Sequence, residues 1–230
     1  MKNINKLVLH IPHSSLNRYD EGWSGDRERF KEKVYSLTDM FTDELFVGPN
    51  RDDVVAVVST VSRFFCDCER LLNDEMREIG QGIVYTRYEG FNKIISEEEI
   101  LRIKDEYYFP HIQRVKDALT KNSLLIDCHS FIDEEKQGGV EINLGYNRDW
   151  SRPCYELINF ISNYFDNLGY KIGLNAPFSN SLSPETNFQY PSIMIEINKK
   201  LYMEGIYHKG KNFQKLHLEL MELYDRILSA

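Results

Sequence analysis

Two histidines and several carboxylates stand where short aliphatic runs give way to polar residues. His13 lies in Ile11-Pro12-His13-Ser14-Ser15, and His129 lies in Ile126-Asp127-Cys128-His129-Ser130. Glu196 is embedded in Ile193-Met194-Ile195-Glu196-Ile197-Asn198. A catalytic zinc takes three protein ligands and keeps a fourth position for water. Two histidines therefore need a carboxylate partner, and Thr38-Asp39-Met40-Phe41-Thr42-Asp43 is the best source. On a helix, Asp39 and Asp43 share one side and Leu37, Phe41 and Leu45 the other. The alternatives are ordinary ones. A lone histidine at a strand end also serves as a hydrogen-bonding loop residue, and Asp39 also suits the first turn of a helix, where the dipole favours it.

Asp127 and His129 point to one side of an extended strand and Cys128 to the other. A carboxylate so placed can fix the tautomer of a metal-bound imidazole; it can equally cap a turn. A glutamate in an aliphatic run is costly unless paired or functional. Burial would raise the pKa of Glu196, which suits a general base; the alternative is an edge-strand glutamate facing solvent. Arg63 and Arg70 flank Phe64-Phe65-Cys66-Asp67-Cys68-Glu69 and could grip a substrate carboxylate bidentately. They could instead pair with Asp67 or Glu69. His10, His208 and His217 read as structural or surface residues.

These residues need elements to position them. Leu7–Ile11, Val54–Val58, Ser123–Ile126, Val140–Leu144, Tyr170–Leu174 and Ser192–Ile197 read as short buried strands. Ser96-Glu97-Glu98-Glu99 is a capping box opening a helix that Pro110 should kink or split. Ser151-Arg152-Pro153 should open another, stopped at Leu168-Gly169, and the last helix should cover Asn212 to Leu228. Strands alternating with helices predict an α/β fold with a mixed, mostly parallel central sheet covered on both faces. Ligands in such sheets bind beyond the carboxyl ends of the strands, where His13 and His129 stand.

Composition narrows the classes. The 230 residues carry 28 Lys+Arg against 36 Asp+Glu, a net charge of −8, which argues against a nucleic-acid binder. The longest aliphatic run, Val54–Val58, is far short of the roughly 20 residues a membrane helix needs. The N-terminal stretch is not a signal peptide, and four cysteines without CxxC pairing read as free thiols, so a cytoplasmic protein is expected. With no repeat and no Pro/Gly-rich linker, residues 1–230 read as one domain. P-loop, GxGxxG and GxSxG motifs are absent.

The motifs above, with Asp43-Glu44-Leu45-Phe46, Ser62-Arg63, Glu141-Ile142-Asn143-Leu144-Gly145, Tyr108-Phe109-Pro110-His111 and Asn175-Ala176-Pro177-Phe178, occur in the order seen in N-formylglutamate amidohydrolases. The resemblance spans about residues 7 to 203. It implies a three-layer α/β/α domain of the zinc-carboxypeptidase (phosphorylase/hydrolase-like) type and hydrolysis of the formyl amide of N-formylglutamate. It implies zinc held by His13, His129 and Asp39, with Asp43 matching the family equally well. Glu196 would be the general base, Arg63 and Arg70 substrate-carboxylate binders and Asn143 a polar contact; His111 matches a family histidine without an assigned role. The segment Pro177 to Pro184 departs from the classical members, which carry arginine there. The expected partner is a small N-formyl or N-acyl amino acid, with the chain a monomer or homo-oligomer. A carboxypeptidase-like peptidase and a catalytically silent amino-acid-binding domain are the competing readings.

Overall fold

The computed structural model describes residues 4–132 and 138–230. Its centre is a six-stranded sheet built from β1 (Lys6–Ile11), β3 (Val54–Val58), β6 (Ser123–Phe131), β7 (Ile142–Gly145), β8 (Ile172–Leu174) and β9 (Ser192–Asn198). The order is β3-β1-β6-β9-β7-β8. All neighbours are parallel except β7 and β9, which run antiparallel. The expected mixed, mostly parallel α/β sheet is present, and each expected strand is found within a few residues.

Side-chain alternation divides this sheet into two unlike faces. Leu7, Leu9 and Ile11 of β1, Leu124, Ile126 and Cys128 of β6, and Ile193, Ile195 and Ile197 of β9 point one way. They meet α2 (Thr42–Phe46), α5 (Tyr155–Asn167) and α6 (Phe213–Leu228) in the largest core. On the other face, Val8, Val57 and Leu125 pack against Val115 of α4 (Phe109–Ala118) and Leu119 just after it. The intervening positions on that face are polar: His10, Asp127, His129, Asn143 and Glu196, all buried. Glu196 is therefore not an interruption of its aliphatic run but the opposite parity of the same strand.

A satellite unit covers one flank. There α1 (Arg27–Leu37), capped by Asp26, packs Phe30 and Val34 on Phe64, Tyr85 and Phe91 beneath a small antiparallel sheet of β2 (Trp23–Ser24), β4 (Arg87–Tyr88) and β5 (Phe91–Lys93). β10 (Met203–Glu204) and β11 (His208–Lys209) form a final ribbon. Among the described residues no helix is long and apolar enough to cross a membrane, and all four cysteines are free.

Two local expectations need correction. Asp39 and Asp43 do not share a helix. The first helix ends at Leu37, Thr38 is its C-cap, and Phe41 takes a left-handed φ of 65° before α2 begins. The α-helix is interrupted just before Pro110, as expected. The chain runs from α3 (Glu97–Ile103) through a wide turn at Lys104–Tyr108 into α4. There the Phe109 N–H reaches back to Lys104, absorbing the proline's missing donor in a π turn. The helix expected from Ser151 starts at Tyr155, because Ser151 instead donates through both its N–H and its hydroxyl to Asp149 Oδ1 in a turn.

Candidate metal centre

The site forms where β1, β6 and β9 end. His13 follows β1 by two residues, and its carbonyl accepts the N–H of Asp39 at 3.0 Å. This bond brings the break between α1 and α2 to the strand end. The break is held from the other side by Lys199, whose buried ammonium donates to the carbonyls of Ser36 (2.6 Å) and Thr38 (2.7 Å), a cation at a helix C-terminus. The Tyr202 hydroxyl donates to Met40 O at 2.9 Å.

In this way Asp39 Oδ2 comes to lie 3.1 Å from His129 Nδ1 and 3.6 Å from His13 Nδ1. All three side chains are buried and could together hold one ion. Asp43 is exposed, so of the two aspartates only Asp39 reaches the histidines. Register pairs His129 with Glu196 across β6 and β9. Glu196 is 9% exposed and its Oε2 is buried without a hydrogen-bond partner. Burial, reinforced by Asp39 and Glu69 and opposed by the histidines, pushes its carboxyl up to about 8.

The remaining nitrogen of each histidine is taken by a carboxylate. His13 Nε2 meets Asp67 Oδ1 at 2.8 Å, and His129 Nε2 meets Asp127 Oδ1 at 3.1 Å. Each partner holds its ring with Nδ1 turned to Asp39, the orienting role outer carboxylates take around metal-bound imidazoles. Two further His/carboxylate groups, His13-Asp67-Glu69 and Glu69-Asp127-His129, share these residues. They would use the Nε2 atoms that Asp67 and Asp127 already occupy. His13 Nδ1, by contrast, is buried with no hydrogen-bond partner. An orphaned imidazole nitrogen, a second Nδ1 and a carboxylate oxygen make the donor set a divalent cation requires, so the residues fit the metal expected from the sequence.

Asp127 sits at the end of a longer chain. Its Oδ1 also accepts from His10 Nδ1 at 2.7 Å, His10 Nε2 contacts His111 Nε2 at 2.9 Å, and Arg114 Nη2 lies 3.2 Å from His111 Nδ1. A guanidinium only donates and a carboxylate only accepts. The direction is thus set from both ends: Arg114 donates to His111, His111 to His10, and His10 to Asp127. Burial, with His10 and Arg114 nearby, pushes His111 down to about 2, consistent with an accepting Nδ1. The third lone-pair contact of Asp127, Oδ2, accepts the Leu182 N–H at 2.8 Å. His10 is therefore neither a surface residue nor simple core filling. Its signal in the sequence was parity, since it lies opposite Leu9 and Ile11 on β1 and shares a face with Asp127.

The arginines lie against Asp67. Arg63 Nη2 donates to Asp67 Oδ2 at 3.2 Å, and Arg70 Nε is 3.6 Å from the same oxygen. The Tyr85 hydroxyl donates to Oδ2 at 3.0 Å. Burial opposes ionisation of Asp67, but His13, Arg63 and Arg70 outweigh it and hold the carboxyl well below its usual range. The two guanidinium groups meet at Asp67, Arg70 also lies 3.6 Å from Asp74, and both Nε atoms are buried without hydrogen-bond partners. Asn143, expected as a polar contact, makes two hydrogen bonds within the chain: its Nδ2 donates to Phe178 O (2.9 Å) and its Oδ1 accepts the Ala176 N–H (3.1 Å). It braces the 176–178 loop. Glu69, overlooked in the sequence, approaches His129 Nε2 at 3.3 Å and His13 Nε2 at 3.7 Å.

The N-formylglutamate amidohydrolase sequence profile matches residues 5–203. The chain belongs to the N-formylglutamate amidohydrolase family. It is thus a hydrolase of the amidohydrolase type. A crystal structure of N-formylglutamate amidohydrolase from Ralstonia eutropha JMP134 is similar in fold, with a TM-score of 0.80 at 21% identity, covering 97% of this chain and 92% of that one. A gene product of Agrobacterium tumefaciens shares the fold at a TM-score of 0.67 and 16% identity, with the same coverage. No curated protein sequence matches the chain significantly. The family assignment rests on the profile, and the two crystal structures support the fold.

Proposed function

We propose that the protein is a zinc-dependent amidohydrolase that cleaves the formyl or short acyl amide of an N-acyl amino acid. The observation that carries the reading is the approach of His13 Nδ1 and His129 Nδ1 to Asp39 Oδ2, with the buried, unpartnered Oε2 of Glu196 opposite His129. His13, Asp39 and His129 would hold the ion. When bound there, a divalent cation supplies Lewis acidity to a carbonyl oxygen and to water.

The chain's own groups supply the rest. Glu196 takes a proton from the attacking water as the C–O bond forms. It then gives that proton to the amine nitrogen as the C–N bond breaks, yielding formate and the free amino acid. A carboxyl pushed up towards neutrality by burial suits both halves of this exchange. Arg63 and Arg70 are the guanidinium groups that would hold the substrate carboxylate.

The test couples metal content with turnover. Glu196→Gln should keep its zinc and lose about 10²–10⁴-fold in kcat. His13→Ala and His129→Ala should lose zinc as well as activity, by elemental analysis. Wild-type protein that hydrolyses an N-formyl amino acid with no metal present would overturn the reading.

A further inference from the structure

Beside the buried centre lies a cleft of about 680 Å³ whose lining includes Glu69, which approaches both histidines, and Arg70. Beyond Arg70 the cleft is lined by Leu71, Leu72, Phe109, Ile112 and Trp150. Leu71 is 63% exposed, Leu72 52%, Phe109 44% and Trp150 36%. A group of large apolar side chains left open to water around one concavity marks a binding surface rather than scattered surface residues.

The charges around that wall point the same way. Among the described lining residues the only cations are Arg70 and Lys116, against Glu69, Asp74, Asp149 and Glu185. Arg70, which also faces Asp67 and Asp74 at 3.6 Å, belongs with Arg63 to the pair assigned to the α-carboxylate and is not available for a second one. The facing segment, Ser179-Asn180-Ser181-Leu182-Ser183-Pro184, carries no charge. A second carboxylate on a substrate would have Lys116 as its one remaining cationic partner and four acids around it. An apolar side chain would instead cover hydrocarbon already exposed.

We propose that this cleft receives the side chain of the substrate, and that the preferred substrates are N-formyl or N-acyl derivatives of amino acids with large apolar side chains rather than of glutamate. This rests on the amidohydrolase reading above and names the substrate class of the same site. The Arg63–Arg70 pair takes the α-carboxylate, Glu196 faces the amide, and the side chain extends past Arg70 along Leu72 and Trp150.

The experiment compares kcat/KM for N-formyl-leucine, N-formyl-phenylalanine and N-formylglutamate on the zinc-loaded protein. At least a tenfold preference for the apolar pair is expected, the scale a well-filled apolar pocket provides. Leu72→Lys, on a half-exposed side chain that can change without disturbing the core, should move the leucine-to-glutamate ratio about tenfold towards glutamate. Equal or better turnover of N-formylglutamate overturns the proposal, as does a ratio unmoved by Leu72→Lys. If none of the three is hydrolysed, calorimetric Kd values decide. Tighter binding of N-formyl-leucine than of N-formylglutamate keeps the cleft assignment and removes only the hydrolytic reading. Equal binding, or no binding of either, removes the cleft assignment.

Discussion

At the residue scale, the orientation of His129 depends on side chains that never touch the proposed ion. Arg114, His111 and His10 form a one-way row of donors ending on Asp127, and Asp127 fixes which nitrogen of His129 faces Asp39. Replacing His111 by leucine removes the donor to His10 while keeping an apolar body in its place. Replacing it by glutamine keeps a donor. His111→Leu should weaken zinc binding about 10–100-fold, as loss of outer carboxylate–histidine partners does elsewhere, while His111→Gln retains most of it. Chelator competition measures this, and thermal unfolding of the metal-free variants separates it from a loss of stability. Equal zinc affinity in both variants would show that the row only fills space. The ligands were legible from residue type and strand position, whereas the row was not. His10 looks inert in sequence, and only the β1–β6 pairing of His10 with Asp127 reveals its partner.

At the element scale, the strands and most helices follow from periodicity, and the failures are places where a single contact overrides a local rule. Asp39 sits on no helix because its N–H is claimed by His13 and the preceding carbonyls by Lys199. Neither partner is near it in sequence, so no window of residues shows them. At Pro110 the local rule holds: the α-helix is interrupted by a wide turn directly before the proline. Loop geometry is equally particular at Gly173 on β8. A Cβ there would lie 2.1 Å from the Ala176 carbonyl and 3.0 Å from Asn143 Oδ1. Gly173→Ala must therefore push away the loop that Asn143 braces. It should cost about 1–3 kcal/mol, the usual price of overpacking, read from denaturant unfolding. The same loop leads into the cleft wall at Ser179–Pro184, so the variant should also raise KM.

At the scale of the whole molecule, stability depends on pH through Lys93. Its side chain is buried, 5.0 Å above the Phe65 ring, and its ammonium has no hydrogen-bond partner. Burial pushes it down to about 8 from an ordinary value of 10.5. Between those values the unfolded chain binds the extra proton, so this group's contribution to stability rises with pH across the window. Below pH 8 the full cost of the buried charge is present. Lys93→Met should therefore stabilise the protein by about 3 kcal/mol at pH 7, a gain that largely disappears by pH 10.5, in unfolding titrations at the two pH values. A gain independent of pH would assign it to packing alone. The two unlike faces of the central sheet have another consequence. Each of β1, β6 and β9 writes core and chemistry in alternate letters, so both messages share one reading frame. A substitution corrupts one letter of one message. Deleting a single residue from Leu124–Ile126 would turn Asp127 and His129 into the hydrocarbon layer and corrupt both at once. Divergence in this architecture is thus channelled: strands can change by substitution only, and length variation is left to the loops that shape the cleft.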